Sequence, residues 1–116
     1  MDVKQVAEAF TELCKAGKFE EAGERFWADE VVSIEAMDGP MARTEGRNQA
    51  KAKGDWWTEN NEVHGFTTVG PYVNGDQFAL RFDIDCTPKG EARRQMEEVG
   101  LYTVSDGKIV EERFFY

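Results

Sequence analysis

The fold is decided by residues 63–87, VHGFTTVGPYVNGDQFALRFDIDCT. Apolar and polar residues alternate on both sides of Asn-Gly-Asp at 74–76, a sequence typical of a tight β-turn. The pattern predicts two antiparallel strands, 63–73 and 78–87, of which the first is interrupted by Gly-Pro at 70–71. This hairpin indicates that the second half of the chain forms an antiparallel sheet.

Three more strands are predicted around the hairpin. Residues 93–104 and 108–116 continue the sheet, and Ser-Asp-Gly at 105–107 joins them, which makes a four-stranded meander. An earlier segment, 31–37, alternates in the same way and predicts a first strand that ends at Asp-Gly-Pro, 38–40.

The remaining residues of the first half predict three helices. Apolar residues recur at helical spacing from 3 to 14, and Gly17 ends this helix. A short second helix is predicted at 19–27, and a third follows Gly46 and runs to residue 57. This order indicates an α+β fold rather than alternating parallel units, and a chain of 116 residues fits one domain, 1–116.

Composition narrows the set of partners. With 23 acidic and 14 basic residues the net charge is −9, so no nucleic-acid or membrane partner is expected. The alternative is that the charge only keeps the protein in solution. Cys14 and Cys86 are isolated among apolar residues, which predicts buried free thiols in a reducing compartment. No signal peptide or membrane-spanning run is evident, so we predict a cytoplasmic protein.

Three groups of residues together resemble the nuclear-transport-factor-2-like superfamily, and within it the SnoaL-like proteins. Lys-Ala-Gly-Lys at 15–18 separates the two opening helices. Phe-Trp-Ala-Asp-Glu at 26–30 leads into a strand, and Gly-Arg at 46–47 opens the third helix. Ser-Asp-Gly-Lys-Ile-Val at 105–110 leads into a terminal aromatic strand. The resemblance implies a cone-shaped, cystatin-like fold, in which a curved antiparallel sheet is wrapped by three N-terminal helices around one internal pocket.

The resemblance also implies candidate catalytic residues. Glu35 holds the place of the general base in steroid isomerases, and Arg81-Phe82-Asp83 matches an Arg-x-Asp pair of limonene epoxide hydrolase. In an enzyme, Glu35 would be the base, Asp83 the acid and Arg81 the organiser, since a guanidinium between two carboxylates holds both by directional hydrogen bonds. The alternative is that Arg81 and Asp83 form an ordinary ion pair on an exposed sheet face.

Two departures from these enzymes favour a binding protein. Phe10 stands where steroid isomerases have a tyrosine donor, and Phe114 where the epoxide hydrolase has a second aspartate. We therefore expect a SnoaL-like protein that binds a small, largely apolar molecule in its pocket. The alternative is a cofactor-independent acid–base enzyme of the isomerase, dehydratase, cyclase or epoxide-hydrolase type.

Alternation along the strands predicts which other residues line the pocket. These are Ser33, Asp85, Met96, Glu98, Tyr102, Glu112, Phe114 and Tyr116. Trp56 and Trp57 are predicted to form an aromatic wall at the pocket mouth, or alternatively core or dimer contacts. His64, the only histidine, is a ligand-binding candidate, although a structural hydrogen bond is the commoner role. No metal ligand spacing or phosphate-binding loop is present, so neither a metal nor another cofactor is expected.

If Arg81 and Asp83 face the pocket, the alternate residues of the same strand face outward. These are Phe78, Leu80, Phe82, Ile84 and Cys86, with Leu101 and Phe115 beside them. An apolar face of that size is unusual for a monomer, so a homodimer through the outer sheet face is expected.

Overall fold

The computed structural model describes residues 1–116. Its elements are α1 (Val3–Lys15), α2 (Phe19–Phe26), β1 (Trp27–Ile34), β2 (Arg43–Glu45), α3 (Arg47–Asn60), β3 (Asn61–Asn74), β4 (Gln77–Pro88), β5 (Arg94–Ser105) and β6 (Lys108–Phe115). The predicted order of helices and strands is confirmed. The short strand β2 was not predicted, and β1 begins four residues before the predicted strand.

The six strands form one mixed sheet in the order β2-β1-β6-β5-β4-β3. β3 to β6 are the predicted antiparallel meander, and β2 is antiparallel to β1. β1, however, lies parallel to β6 and places Ser33 beside Glu112. The α+β prediction is confirmed, but the expectation of an antiparallel sheet is corrected at this one pairing.

The helices pack on one face of the sheet, which we call the inner face. α1 begins with a capping box, in which Asp2 and Gln5 each accept from the other's backbone N–H. Phe10 of α1 packs against Phe78 and Tyr102, at ring-centroid distances of 5.8 and 4.9 Å. α3 packs against β1 and β2 and covers the other half of the sheet.

The predicted orientation of β4 is wrong. Phe78, Leu80 and Phe82 are buried on the inner face, and Cys86 is buried with them. The polar residues Arg81, Asp83 and Asp85 consequently lie on the opposite, outer face. Burying a Phe or Leu side chain stabilises the fold by about 1.5–3 kcal/mol, so the apolar set turns inward against the helices.

This correction also removes the stated basis of the homodimer. Four of the five β4 residues expected on the exposed face are buried in the core, and Ile84 packs against it. Phe115 does lie on the outer face, with half of its surface exposed. Both cysteines are free and buried, as predicted.

None of the three helices is long and apolar enough to cross a membrane.

Candidate functional site

A chain of hydrogen bonds runs along the inner face from the core towards the end of β1. It begins at Glu112 of β6, which is 5% exposed. The two carboxylate oxygens accept from Trp27 Nε1 at 2.9 Å and from Ser33 Oγ at 2.7 Å. Burial raises the pKa of Glu112, and the hydrogen bonds from Ser33 and Trp27 oppose this rise.

Lys53 of α3 continues the chain. Its ammonium donates to Ser33 Oγ and, at 2.8 Å, to Glu35 Oε2. The ammonium also lies 5.3 Å from the centre of the Phe114 ring. With only 13% of its side chain exposed, Lys53 is a nearly buried cation that links two carboxylates, one directly and one through a serine.

Glu35 lies at the outer end of the chain. It follows β1 directly, and its backbone N–H donates to Ala42 O at 2.7 Å. Glu35 Oε1 accepts from Tyr116 OH at 3.1 Å. Partial burial and the neighbouring Glu35 charge raise the pKa of Tyr116. The predicted inward orientation of Ser33, Glu35 and Tyr116 is therefore seen in the structure.

Glu98 is the carboxyl group of this face that is not tied into the chain. It lies on β5 opposite Phe82, a buried residue of the inner face. Burial and the charges of Glu35 and Glu112 raise the pKa of Glu98 to about 7, while Lys53 lowers it. Glu98 can therefore both accept and donate a proton near neutral pH.

Three other residues of β5 and β6 that were predicted to line the pocket make apolar contacts on the inner face. Tyr102 is 2% exposed and stacks on Phe78 with ring centroids 4.8 Å apart. Phe114 meets Tyr102 edge-on at 6.3 Å. Met96 is half-buried, and its Sδ accepts from Cys86 Sγ at 3.5 Å. These contacts surround the polar groups with apolar surface.

The structure does not bring Arg81 and Asp83 together with Glu35. Arg81 pairs with Asp83 at 3.1 Å and with Glu97 at 3.5 Å on the outer face, and half of its side chain is exposed. Asp85 pairs there with Arg93 at 2.7 Å, which lowers the pKa of the Asp85 carboxyl. The ordinary exposed ion pair, the alternative that the sequence left open, is the arrangement observed.

The side chains of His64 and the two tryptophans take no part in the hydrogen-bond chain. His64 is exposed, and its Nε2 is 2.7 Å from Thr87 Oγ1. Trp56 is 51% exposed on α3, and Trp57 is half-buried. His64 thus has the structural hydrogen bond that is the commoner role for a lone histidine.

Sequence reasoning missed Lys53 and Trp27, and it predicted Glu112 as a pocket-lining residue without a chemical role. A signal for Lys53 was present, because Lys53 follows Ala50 by three residues and so shares the face of α3 that packs on the sheet. Ala50 is the buried residue of that helix. No comparable signal pointed to Trp27, which was assigned to the second helix.

Two surface depressions include residues of the candidate site, Glu98 in one and Trp27 in the other. One of about 210 Å³ lies beside β5, near the end of β6, and is lined by Arg81, Glu97, Glu98, Val99 and Phe115. The other, of about 310 Å³, lies around Trp27, Arg47 and Lys108. The enclosed internal pocket stays a prediction. No group of three or more His, Cys, Asp or Glu side chains is arranged to hold a metal ion.

Comparison with known proteins finds relatives along the whole chain. The family profile of the SnoaL-like domain matches residues 1–116. A Mesorhizobium loti protein of known structure, provisionally named both a SnoaL-like polyketide cyclase and a carbohydrate phosphatase, is 55% identical. It superposes with a TM-score of 0.98 over 100% of both chains.

Two more distant structures share the fold. A Xanthomonas campestris protein with a cystatin-like fold is 17% identical, with a TM-score of 0.79 over 99% of this chain and 90% of its own. An NTF-2-like protein from Burkholderia xenovorans LB400 is 19% identical, with a TM-score of 0.72 over 97% and 80%. Among curated proteins, none matches this sequence. The structural matches confirm the fold that the sequence motifs predicted.

Proposed function

Because this chain belongs to the SnoaL-like domain family, we propose that its inner face binds a small, largely apolar molecule and transfers protons on it without a cofactor. The supporting observation is that Glu98, Lys53 and Glu35 come from three parts of the chain to one face. This set replaces the Glu35, Arg81 and Asp83 combination, since the last two lie on the outer face.

Glu98 is proposed as the proton-transferring group. With a pKa of about 7 it is partly ionised at neutral pH, which is the condition for an efficient general base that later returns the proton. On an enolisable carbonyl compound, the carboxylate takes the proton from the carbon next to the carbonyl. The electron pair of the broken C–H bond forms a C=C bond to the carbonyl carbon, and the π pair of the C=O bond moves to the oxygen. The protonated Glu98 then returns a proton to the same carbon, which gives exchange, or to the γ-carbon of a β,γ-unsaturated carbonyl compound, which completes an isomerisation.

Lys53 is proposed to stabilise the negative charge that develops on the oxygen. An ammonium has three N–H donors, and the bonds to Ser33 and Glu35 use two of them. The third is available to a substrate oxygen, at a site where little water competes. Glu35 accepts from the ammonium through Oε2 and from the Tyr116 hydroxyl through Oε1, so Tyr116 helps to hold the Glu35 carboxylate in place.

A phosphate ester is a poor candidate substrate for the same face. Glu35, Glu98 and Glu112 outnumber the single cation Lys53, and they are close enough to one another to perturb the Glu98 pKa. A dianionic phosphate would add repulsion in a site already rich in negative charge. The carbohydrate phosphatase name of the Mesorhizobium loti relative is therefore not extended to this protein.

The experiment is hydrogen–deuterium exchange of small enolisable ketones and β-diketones in D2O, followed by ¹H NMR. We expect the protein to accelerate loss of the α-proton signal, and Glu98→Gln to lower that rate by about 100-fold or more. Glu97→Gln is the matched control, because Glu97 directly precedes Glu98 in the chain but is exposed on the outer face. If these compounds bind but their α-protons do not exchange, the protein binds the ligand without catalysing this reaction.

A further inference from the structure

Glu112 is a buried carboxylate for which the proposed proton transfer has no direct use. It is 5% exposed, whereas Glu35 and Glu98 are only partly buried. Removing a carboxylate from water is unfavourable unless hydrogen bonds or charges compensate for the lost hydration. A packing role alone would be served better by an apolar side chain of similar volume.

The hydrogen bonds of Glu112 are directional and lead to Lys53. Ser33 donates its single proton to Glu112 Oε2, so the serine oxygen is left to accept from the Lys53 ammonium. The donation from Trp27 to the other oxygen, Oε1, prevents the carboxylate from rotating away. Two adjacent strands, β1 with Trp27 and Ser33 and β6 with Glu112, thereby fix one serine hydroxyl in one orientation.

We propose that Glu112 is a positioning residue that, through Ser33, holds the Lys53 ammonium in place on the inner face. This rests on the proposed function for its purpose, since a fixed positive charge is what a developing enolate oxygen requires. Without the serine, Lys53 would be held by Glu35 alone, a partly exposed carboxylate beyond the end of β1.

The charged and titratable groups around Glu112 fit this role. Lys53 is the cation among them. Four other titratable groups lie close enough to interact electrostatically with Glu112, namely Glu35, Glu98, Cys14 and Tyr102. Glu112 and Glu35 therefore act on the ammonium from two sides. Loss of either should let Lys53 move towards the other.

The first test measures the Lys53 ammonium directly and needs no substrate. The ¹⁵Nζ–¹Hζ signal of Lys53 is recorded in wild type, Glu112→Gln, Ser33→Ala and Glu111→Gln, and the exchange rate of its protons with water is compared. We expect exchange to become about tenfold faster in Glu112→Gln and Ser33→Ala, because a charge-assisted hydrogen bond is lost. Glu111→Gln should not change it, since Glu111 pairs with Arg113 and not with Lys53.

The second test is the α-proton exchange of carbonyl compounds. Glu112→Gln and Ser33→Ala should lower kcat by about tenfold with little change in KM. The pH profile of Glu112→Gln should also move slightly to lower pH, because the Glu98 pKa, which is raised mainly by burial and then by Glu35, loses the smaller contribution of Glu112. A purely structural role of Glu112 would change thermal stability without changing the exchange rate of the Lys53 ammonium protons.

The two tests separate the two proposals. If wild type shows no α-proton exchange, the proposed function fails, while the ammonium signal still decides the role of Glu112. If Lys53 protons are as protected in both Glu112→Gln and Ser33→Ala as in wild type, the positioning role is overturned. Ser33→Ala decides the matter by itself if the Gln variant fails to fold, because it removes only one hydroxyl group.

Discussion

At the scale of single residues, Glu97 and Glu98 show how strongly position sets chemistry. The two are neighbours on β5, but Glu97 is exposed beside Arg81 while Glu98 is partly buried near Glu35 and Glu112. Burial and like charge raise the pKa of Glu98 to about 7. The same side chain one residue away is an ordinary surface carboxylate that pairs with an arginine.

The raised pKa of Glu98 makes a prediction about stability. The folded protein binds the Glu98 proton more tightly than the unfolded chain, so its stability falls as pH rises from 4.5 to about 7. Glu98→Gln removes this loss and should be about 2–3 kcal/mol more stable than wild type at pH 8, and similar to it at pH 4. Urea denaturation at the two pH values measures this difference.

Glu97→Gln serves as the control for that measurement. It should stay within about 0.5 kcal/mol of wild type at both pH values, as exposed substitutions usually do. Equal stability of wild type and Glu98→Gln at pH 8 would show that Glu98 is not in a low-dielectric environment.

At the scale of elements, packing of the apolar residues of β4, and not the Arg-x-Asp motif, sets which face of the strand points inward. The Arg-x-Asp resemblance placed Arg81 and Asp83 inward, whereas the alternate residues Phe78, Leu80 and Phe82 carry far more apolar surface. Only one of the two sets can meet α1 and α2. The apolar set does so, because exposing it would forgo several kcal/mol of hydrophobic stabilisation.

Substitutions on the two faces of β4 should differ several-fold in their cost. Phe82→Ala removes a ring that is 5% exposed and should destabilise the fold by about 3–5 kcal/mol. Arg81→Met deletes the charge of a half-exposed ion pair and should cost less than about 1 kcal/mol at pH 7. Chemical denaturation of both variants checks this. A large loss of stability in Arg81→Met would instead indicate that Arg81 faces inward, as the resemblance predicted.

At the scale of the whole molecule, the outer sheet face carries three exposed apolar side chains in one row that the charged Arg81 interrupts. Cross-strand pairing aligns Val69, Arg81, Val99 and Phe115 across four strands. Val69, Val99 and Phe115 are 43, 39 and 50% exposed. The row differs from the one expected from the sequence, but it supports the same prediction, a homodimer through this face.

Light scattering at micromolar concentration tests the dimer. Wild type should have twice the mass of one chain, and Phe115→Glu should be monomeric, because it replaces the most exposed apolar side chain of the row by a charge. Trp56→Glu is the control, since Trp56 is equally exposed but lies on α3. A monomeric wild type would rule out the dimer.

The sequence by itself determined the local elements and much of the inner face. Turn residues and apolar periodicity predicted the helices, the hairpins and their order, because these depend on interactions between residues close in the chain. The choice of face came from the family resemblance, and alternation along the strands extended it to Ser33, Glu35, Glu98 and Tyr116, which do lie on the inner face.

Only the tertiary structure decided which face of β4 is inner, that β1 runs parallel to β6, and that Lys53 reaches Ser33 and Glu35. Alternation shows that a strand has two different faces, but the elements that pack on it decide which one is buried. Lys53 and Ser33 are 20 residues apart, and Ser33 and Glu112 are 79 apart. Their meeting depends on how α3 and β6 pack beside β1, which is set by burial of the whole apolar core and not by any local pattern.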